Sequence, residues 1–183
     1  MLSRDKPTIF LDLDHTLICA YKQNSEDTEL AKNVNFLTPI ISFANYDVYK
    51  RPHVDKFLKF LFRNFYVAVW TAASNEYAAV ITSKVILGDS QTRNLDMFLT
   101  DEDTKEAHRE LGGVKNLDAI WALWGAHHII KEGLAVIVDD LPDVMLTQPD
   151  KCIHVKPFIA SASDAVIDDG LLIAMDEIRS RYL

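Results

Sequence analysis

Two pairs of carboxylates in this chain each follow directly on an apolar run. Asp12 and Asp14 close the stretch TIFLDLD at 8–14, and Asp139 and Asp140 close LAVIVDD at 134–140. Short, continuous apolar runs of this kind read as buried strands. If both strands lie parallel in one sheet, both acid pairs arrive at its carboxyl edge, where open α/β folds bind their ligands. Like charges a few ångströms apart do not all stay ionised unaided, so four converging carboxylates call for a divalent cation. An all-oxygen donor set points to Mg2+. Asp12 and Asp14 are two apart on extended chain and so point the same way, which lets one attack while the other handles the proton. The plainer reading is that acids end strands as solvated loop residues, and two pairs after two apolar strands weigh against it. Thr71, just past a third short strand at 66–70, offers a hydroxyl to a phosphoryl oxygen or caps a turn. Lys115, in GGVKNL, either supplies the positive charge that an incoming phosphate needs among aspartates or is an ordinary surface lysine.

The elements that must position these residues follow from periodicity. After Arg51-Pro52, apolar residues at Val54, Phe57, Leu58, Leu61, Phe62 and Phe65 mark one helix face. Ser74-Asn75 caps a further helix with a stripe of Tyr77, Val80, Ile81, Val85 and Leu87, ended by Gly88. Residues 90–113 read as irregular except for a short strand near Leu95 to Leu99. Leu117, Ile120, Trp121 and Trp124 form another helical stripe. A last strand at 152–155 precedes a terminal helix carrying Leu171, Met175, Ile178 and Tyr182. The polar stretch 21–33 reads as a loop. Residues 35–49 read as a hairpin turning at Ala44-Asn45, with Pro39 keeping its first strand at an edge. Alternation of strand and helix predicts a three-layer α/β domain, Rossmann-like, with a mostly parallel sheet, spanning 1–183 as one unit.

Composition narrows the function classes. With 27 acidic against 19 basic residues among 183, the net charge is −8, which argues against nucleic acid as the main partner, since that affinity comes from neutralised phosphates. It leaves room for a small positive pocket. Cys19 and Cys152 stand alone, without the spacing of a disulfide framework or a thiolate metal site, which suits a reducing, intracellular compartment, cytoplasm or nucleus. No apolar run approaches a membrane span.

DLDHTL at 12–17, RPHVDKFL at 51–58, VAVWTAASNEYA at 67–78, VKNL at 114–117 and IVDDLPDV at 137–144 occur in this order. The chain thereby resembles the haloacid dehalogenase superfamily, and within it the branch of carboxy-terminal-domain (FCP/SCP-like) and NIF-type phosphatases. The resemblance implies hydrolysis of phosphoserine or phosphothreonine in a protein or peptide, through an aspartyl-phosphate on Asp12. Asp14 would protonate the leaving oxygen and then activate water. Thr71, Ala72 and Lys115 would hold the phosphoryl group. Mg2+ would be bound by the Asp12 carboxylate, the Asp14 carbonyl, Asp139, and Asp140 directly or through water. The family's small insertion resembles residues 35–49, and there is no room for a large cap. Phe36, Leu37, Ile40 and Phe43 offer either an apolar slot beside the substrate or ordinary packing.

The chain departs from that branch at His15, where Glu is usual, at Asn116, where Asp is usual, and at Leu141, where Ser is common. None removes a group from the chemical step. His15 sits where it could meet a phosphate at the pocket mouth or simply cap the loop. Alternative activities are a phosphatase for a small phosphate ester or a polynucleotide 3′-phosphate, and a non-catalytic phosphopeptide-binding protein. Arg51 and His53 are expected to brace the helix start and the site from behind, His127-His128 to top a helix or face solvent, and Lys84, on the helix after the second motif, to be at most a second phosphate contact.

Overall fold

The computed structural model describes residues 6–34 and 36–183; residues 1–5, and Asn35 at the start of the expected 35–49 hairpin, lie outside them. Five strands form a parallel sheet in the order β6-β5-β1-β7-β8. These are β1 (Thr8–Leu11), β5 (Tyr66–Trp70), β6 (Phe98–Leu99), β7 (Ala135–Asp139) and β8 (Cys152–His154). A second, antiparallel sheet, β2-β4-β3, is built from β2 (Ile18–Lys22), β3 (Ile41–Phe43) and β4 (Tyr46–Lys50). This is the expected α/β fold with a Rossmann-like core and a small added hairpin.

Period-two alternation along β1 decides the layers. Ile9 and Leu11 face a core shared with Val54, Phe57, Leu58 and Leu61 of α2 (Val54–Asn64), Ile81 of α3 (Asn75–Ile81) and Leu171, Met175 and Ile178 of α7 (Gly170–Tyr182). Phe10 faces the opposite core, with Trp70, Ala107 of α4 (Asp101–Leu111), Trp121 of α5 (Ala119–Ala122) and Val144 of α6 (Pro142–Thr147). The chain winds one way from β1 to β5 and β6, then returns to β7 on the other side of β1. That reversal opens a crevice at the carboxyl ends of β1 and β7.

Several expectations need correction. The stretch read as a loop at 21–33 holds the end of β2 and the short helix α1 (Asp27–Lys32), which buries no residue and therefore lacks an apolar stripe. Residues 90–113 contain α4, which buries only Ala107. Its start is fixed by a capping box: the Thr100 amide donates to Asp103 Oδ2 at 2.7 Å, and the Thr100 side chain meets the same carboxylate. Helix α3 buries Ala78 and Ile81 while Tyr77 and Val80 are only half-buried, and after Ile81 the chain passes into a π-type turn, Thr82–Leu87, that buries Thr82, Val85 and Ile86. The hairpin stands: Ala44 and Asn45 both take positive φ, as a two-residue turn with the strands' own twist requires, and β3 is an edge strand after Pro39.

Arg51 is the main polar tie between these parts. It is 1% exposed, and its guanidinium grips the Asp168 carboxylate (Nε to Oδ1 2.6 Å, Nη2 to Oδ2 3.1 Å). It also donates to the carbonyls of Thr16 (3.1 Å) and Lys156 (2.9 Å). One side chain thus joins the loop after β1, the entry to α2, the segment after β8 and the entry to α7. Gly170 lies so close to this guanidinium that a Cβ there would collide with it. Asp168→Ala should cost about 3 kcal/mol, the scale expected when a buried ion pair loses one partner. Urea unfolding measures this, and a loss below about 1 kcal/mol would mean that the carbonyls alone satisfy Arg51.

Candidate active site

Strand register brings the acids together. Leu11 pairs with Val138 across β1 and β7, and the Asp12 amide donates to the Val138 carbonyl at 3.1 Å, which sets Asp12 beside Asp139 at the sheet edge. Ligand oxygens of Asp12, Asp139 and Asp140 lie within 4.8 Å of one another. All three residues are buried, with Asp139 fully so. The four-carboxylate cluster expected from sequence is therefore a three-carboxylate cluster. The Asp14 side chain stands apart from it, accepting a 2.8 Å hydrogen bond from the Tyr77 hydroxyl. Asp14 still lines the same crevice of about 280 Å³ together with Asp12, His15, Thr71, Ala72, Lys115, Asp140 and Leu141.

Lys115 is no surface lysine. It is 1% exposed, and its Nζ lies 2.6 Å from Asp12 Oδ1 and 2.6 Å from Asp139 Oδ2. Its backbone holds a positive φ of 47°. Gln148 secures that loop by donating from Nε2 to the Lys115 carbonyl (3.1 Å) and accepting from the Leu117 amide (2.9 Å). Thr71, also buried, is placed by its amide's bond to the Leu99 carbonyl (3.0 Å), and its hydroxyl accepts from the Ala73 amide (3.1 Å). Asp139 Oδ1 accepts from the Leu141 amide (2.9 Å), and Asp140 Oδ1 accepts from the buried Thr16 hydroxyl (3.3 Å).

The electrostatics follow from this crowding. Burial first, then the Asp12 charge, raises Asp139 above the ordinary carboxylate range, even against its ion pair with Lys115. Burial and Asp12 also raise Asp140. Burial alone would lower the Lys115 ammonium, but Asp12 and Asp139 outweigh it and hold it above its ordinary value. Asp14 is pushed up to about 6, chiefly by burial, with the Tyr77 hydrogen bond opposing and Asp12 assisting. His15 is pushed up to about 9, foremost by a hydrogen bond to Cys19 and also by the Phe158 carbonyl, against burial. That shift favours the cationic form of His15 in the crevice lining, which suits an anionic ligand.

The donor set fits a divalent metal. One ammonium against three carboxylates leaves a formal charge of −2 around oxygens only, and the Asp12 charge adds to burial in raising Asp139 and Asp140. The Asp12, Asp139 and Asp140 cluster is thus positioned to coordinate a divalent cation such as Mg2+.

Other sequence candidates scatter. Lys84 is exposed and does not line the crevice. Phe36 is 90% exposed and Leu37 packs against a minor core near Tyr21 and Phe158. Only Phe43 of the four proposed slot residues lines the cavity of about 500 Å³ that adjoins the crevice through Asp14 and Ala73, where Tyr46 and Tyr77 are its aromatic partners. Sequence reasoning missed three residues that act on the site: Thr16, Tyr77 and Gln148. Thr16 lies within DLDHTL and Tyr77 within the motif after β5, so a motif signal existed for both, although periodicity placed Tyr77 in the core. Nothing marks Gln148.

Comparison with known proteins agrees with this geometry. The family described as NLI interacting factor-like phosphatase matches residues 7–181. The CTD phosphatase-like protein 355R of Invertebrate iridescent virus 6 is 34% identical over 182 residues, covering 96% of this chain and 98% of the relative. Its namesake in Invertebrate iridescent virus 3 is 33% identical over 184 residues, covering 94% and 95%. Among solved structures, the RNA polymerase II CTD phosphatase Fcp1 superposes with a TM-score of 0.54 at 18% identity, over 96% of this chain and 50% of that one. CbbY from Rhodobacter sphaeroides gives 0.52 at 15%, over 93% and 99%. At these identities the structural likeness speaks for the fold.

Without a divalent cation, carboxylates raised in the folded state hold protons that the unfolded chain has released. Stability should therefore fall as pH rises from about 4 toward 7 and beyond. Urea unfolding in a chelator should give a less stable protein at pH 8 than at pH 5, and added Mg2+ should stabilise more at pH 8. Asp139→Asn should weaken both effects. Equal chelated stability at the two pH values would contradict this account of the cluster.

Proposed function

The chain belongs to the NLI interacting factor-like phosphatase family, and on that premise we propose that it is a magnesium-dependent phosphatase acting on phosphoserine or phosphothreonine in a protein or peptide. The observation that carries this reading is the buried Asp12 carboxylate, pinned by Lys115 in the wall of a crevice and flanked by Asp139 and Asp140.

Asp12 attacks the phosphorus, the bond to the leaving oxygen breaks, and an aspartyl-phosphate forms on Asp12. Asp14, raised to about 6 and held by Tyr77, gives its proton to the leaving serine or threonine oxygen and then takes one from the water that cleaves the acyl-phosphate. Lys115 and Thr71 hold the phosphoryl oxygens, with Ala72 and a cationic His15 beside them. A bound Mg2+, held by Asp12, Asp139, Asp140 and the Asp14 carbonyl, would supply charge neutralisation for the phosphoryl group. The side chains of Asn116 and Leu141 supply no group to these steps, although Leu141 lines the crevice and its amide holds Asp139. Asn116 is spent on its own loop, its side chain accepting from the Asp118 amide at 3.0 Å.

A peptide substrate suits the surroundings better than a small ester or a polynucleotide end. The crevice opens into the apolar cavity of Phe43, Tyr46 and Tyr77, which can take a residue flanking the phosphoamino acid. The relatives' description as CTD phosphatase-like supports the same class. We further read residues 1–183 as one phosphatase domain with an insertion at about 35–49, acting in cytoplasm or nucleus. The two free, buried cysteines fit that setting. No helix among the described residues is long and apolar enough to cross a membrane.

Release of phosphate from a generic aryl ester should require Mg2+ and vanish in Asp12→Asn; equal release by the variant would refute the nucleophile. Asp14→Asn should slow turnover by roughly 10²- to 10⁴-fold, with the greater loss on phosphoserine, whose alkoxide leaves poorly without a proton. Because Asp14 must enter protonated, kcat/KM should decline as pH rises through about 6. A panel of phosphopeptides, small phosphate esters and oligonucleotide 3′-phosphates ranks the substrates, and preference for either of the last two would overturn the peptide assignment.

A further inference from the structure

Helices α2 and α7 cover the sheet on one side, and their outer surface carries a charge pattern that the active site does not use. On α2, Lys56, Lys59 and Arg63 are all exposed. At 100° per residue they fall within an arc of roughly 60°, a stripe about 10 Å long down the outer face. None of the three has an ion-pair partner among the described residues. By contrast, neighbouring charges are matched: Lys50 with Asp55 (2.7 Å), Arg179 with Asp176 (2.5 Å) and Arg181 with Glu177 (2.6 Å). In a chain of net charge −8, three adjacent unmatched cations make a local reversal of sign.

The stripe also borders a groove. Lys56, Lys59, Arg63 and Arg179 rim an open cleft of about 450 Å³ between α2 and α7, with Phe60 and Met175 among its lining. The Arg179 guanidinium lies 5.2 Å from the Phe60 ring centroid, which holds this wall in place.

We infer that this groove docks an acidic segment of a protein partner: a few Asp or Glu residues against Lys56, Lys59 and Arg63, and one apolar side chain against Phe60. Charge complementarity selects the acid, and the apolar floor selects a peptide over a bare polyanion. A long nucleic acid would gain three or four cations here while facing the negative remainder of the surface. The inference goes beyond the phosphatase reading and does not depend on it, because the groove lies on the helices' outer face and shares no lining residue with the crevice.

The test uses the full chain and a fluorescein-labelled peptide of Asp and Glu with one central Leu, followed by anisotropy at low and physiological salt. The charge-reversed variant Lys56→Glu, Lys59→Glu, Arg63→Glu should lose at least tenfold in affinity. A control reversing three exposed lysines elsewhere, Lys6→Glu, Lys22→Glu, Lys32→Glu, changes net charge equally and should lose twofold or less. Aryl phosphate turnover, read in parallel, should match the parent in both and reports that each variant is folded. Absence of peptide binding by the parent, or equal losses in the two variants, overturns the proposal. So does binding of an oligonucleotide or anionic phosphatidylserine vesicles that equals peptide binding and is lost in the groove variant.

Discussion

Everything at the site depends on one electrostatic constraint: Asp12 and Asp139 are buried side by side because β1 and β7 pair in the register Leu11 to Val138. Two adjacent buried carboxylates are costly unless cations compensate them. Lys115 provides one such charge at 2.6 Å from each. A third carboxylate, Asp140, restores the deficit and makes room for a divalent ion. The same arrangement that would destabilise an empty site prepares it for a metal and for a dianionic phosphoryl group, with the positive charge already in place rather than recruited during reaction.

Positioning this cluster requires ties at some distance from it. The loop after β1 turns through a positive φ at His15, a conformation that β-carbon residues seldom adopt. It is held there by Arg51 on the Thr16 carbonyl and by Thr16 on Asp140. On the other side, Gln148 at the end of α6 fixes the strained Lys115 backbone. The second sheet adds the aromatic wall of Phe43 and Tyr46, with Tyr46 packed edge-on against Tyr77 at 5.5 Å between centroids. Tyr77 therefore has its hydroxyl on Asp14 and its ring in the neighbouring cavity, and so ties that cavity to the crevice.

Legibility in the sequence tracked the physical origin of each element. Buried strands such as β5 and β7, and the amphipathic α2, announce themselves because their partners are apolar layers and their residue pattern records that burial. Helix α4 does not, since it buries only Ala107 and owes its start to the Thr100 and Asp103 side chains. The π-type turn at Thr82–Leu87 buries Ile86 rather than Leu87, which no periodic template anticipates. Among site residues, Asp12, Asp139, Asp140, Thr71 and Lys115 were nameable from motifs, whereas Gln148 acts through a carbonyl that sequence does not single out.

The sequence by itself determined the alternation of strand and helix, the acids at strand ends and the order of motifs, because these are written in local patterns of polarity and residue type. Tertiary structure alone decided which acids share a site. The strand register set Asp12 against Asp139, while a tyrosine from another element drew the Asp14 side chain out of the cluster. It also decided that Lys115 is a buried counter-charge rather than a surface lysine. Such choices rest on distances between segments far apart in sequence, 63 residues for Tyr77 and Asp14 and 103 for Lys115 and Asp12, and in a crowded interior those distances, not residue type, settle which charges pair.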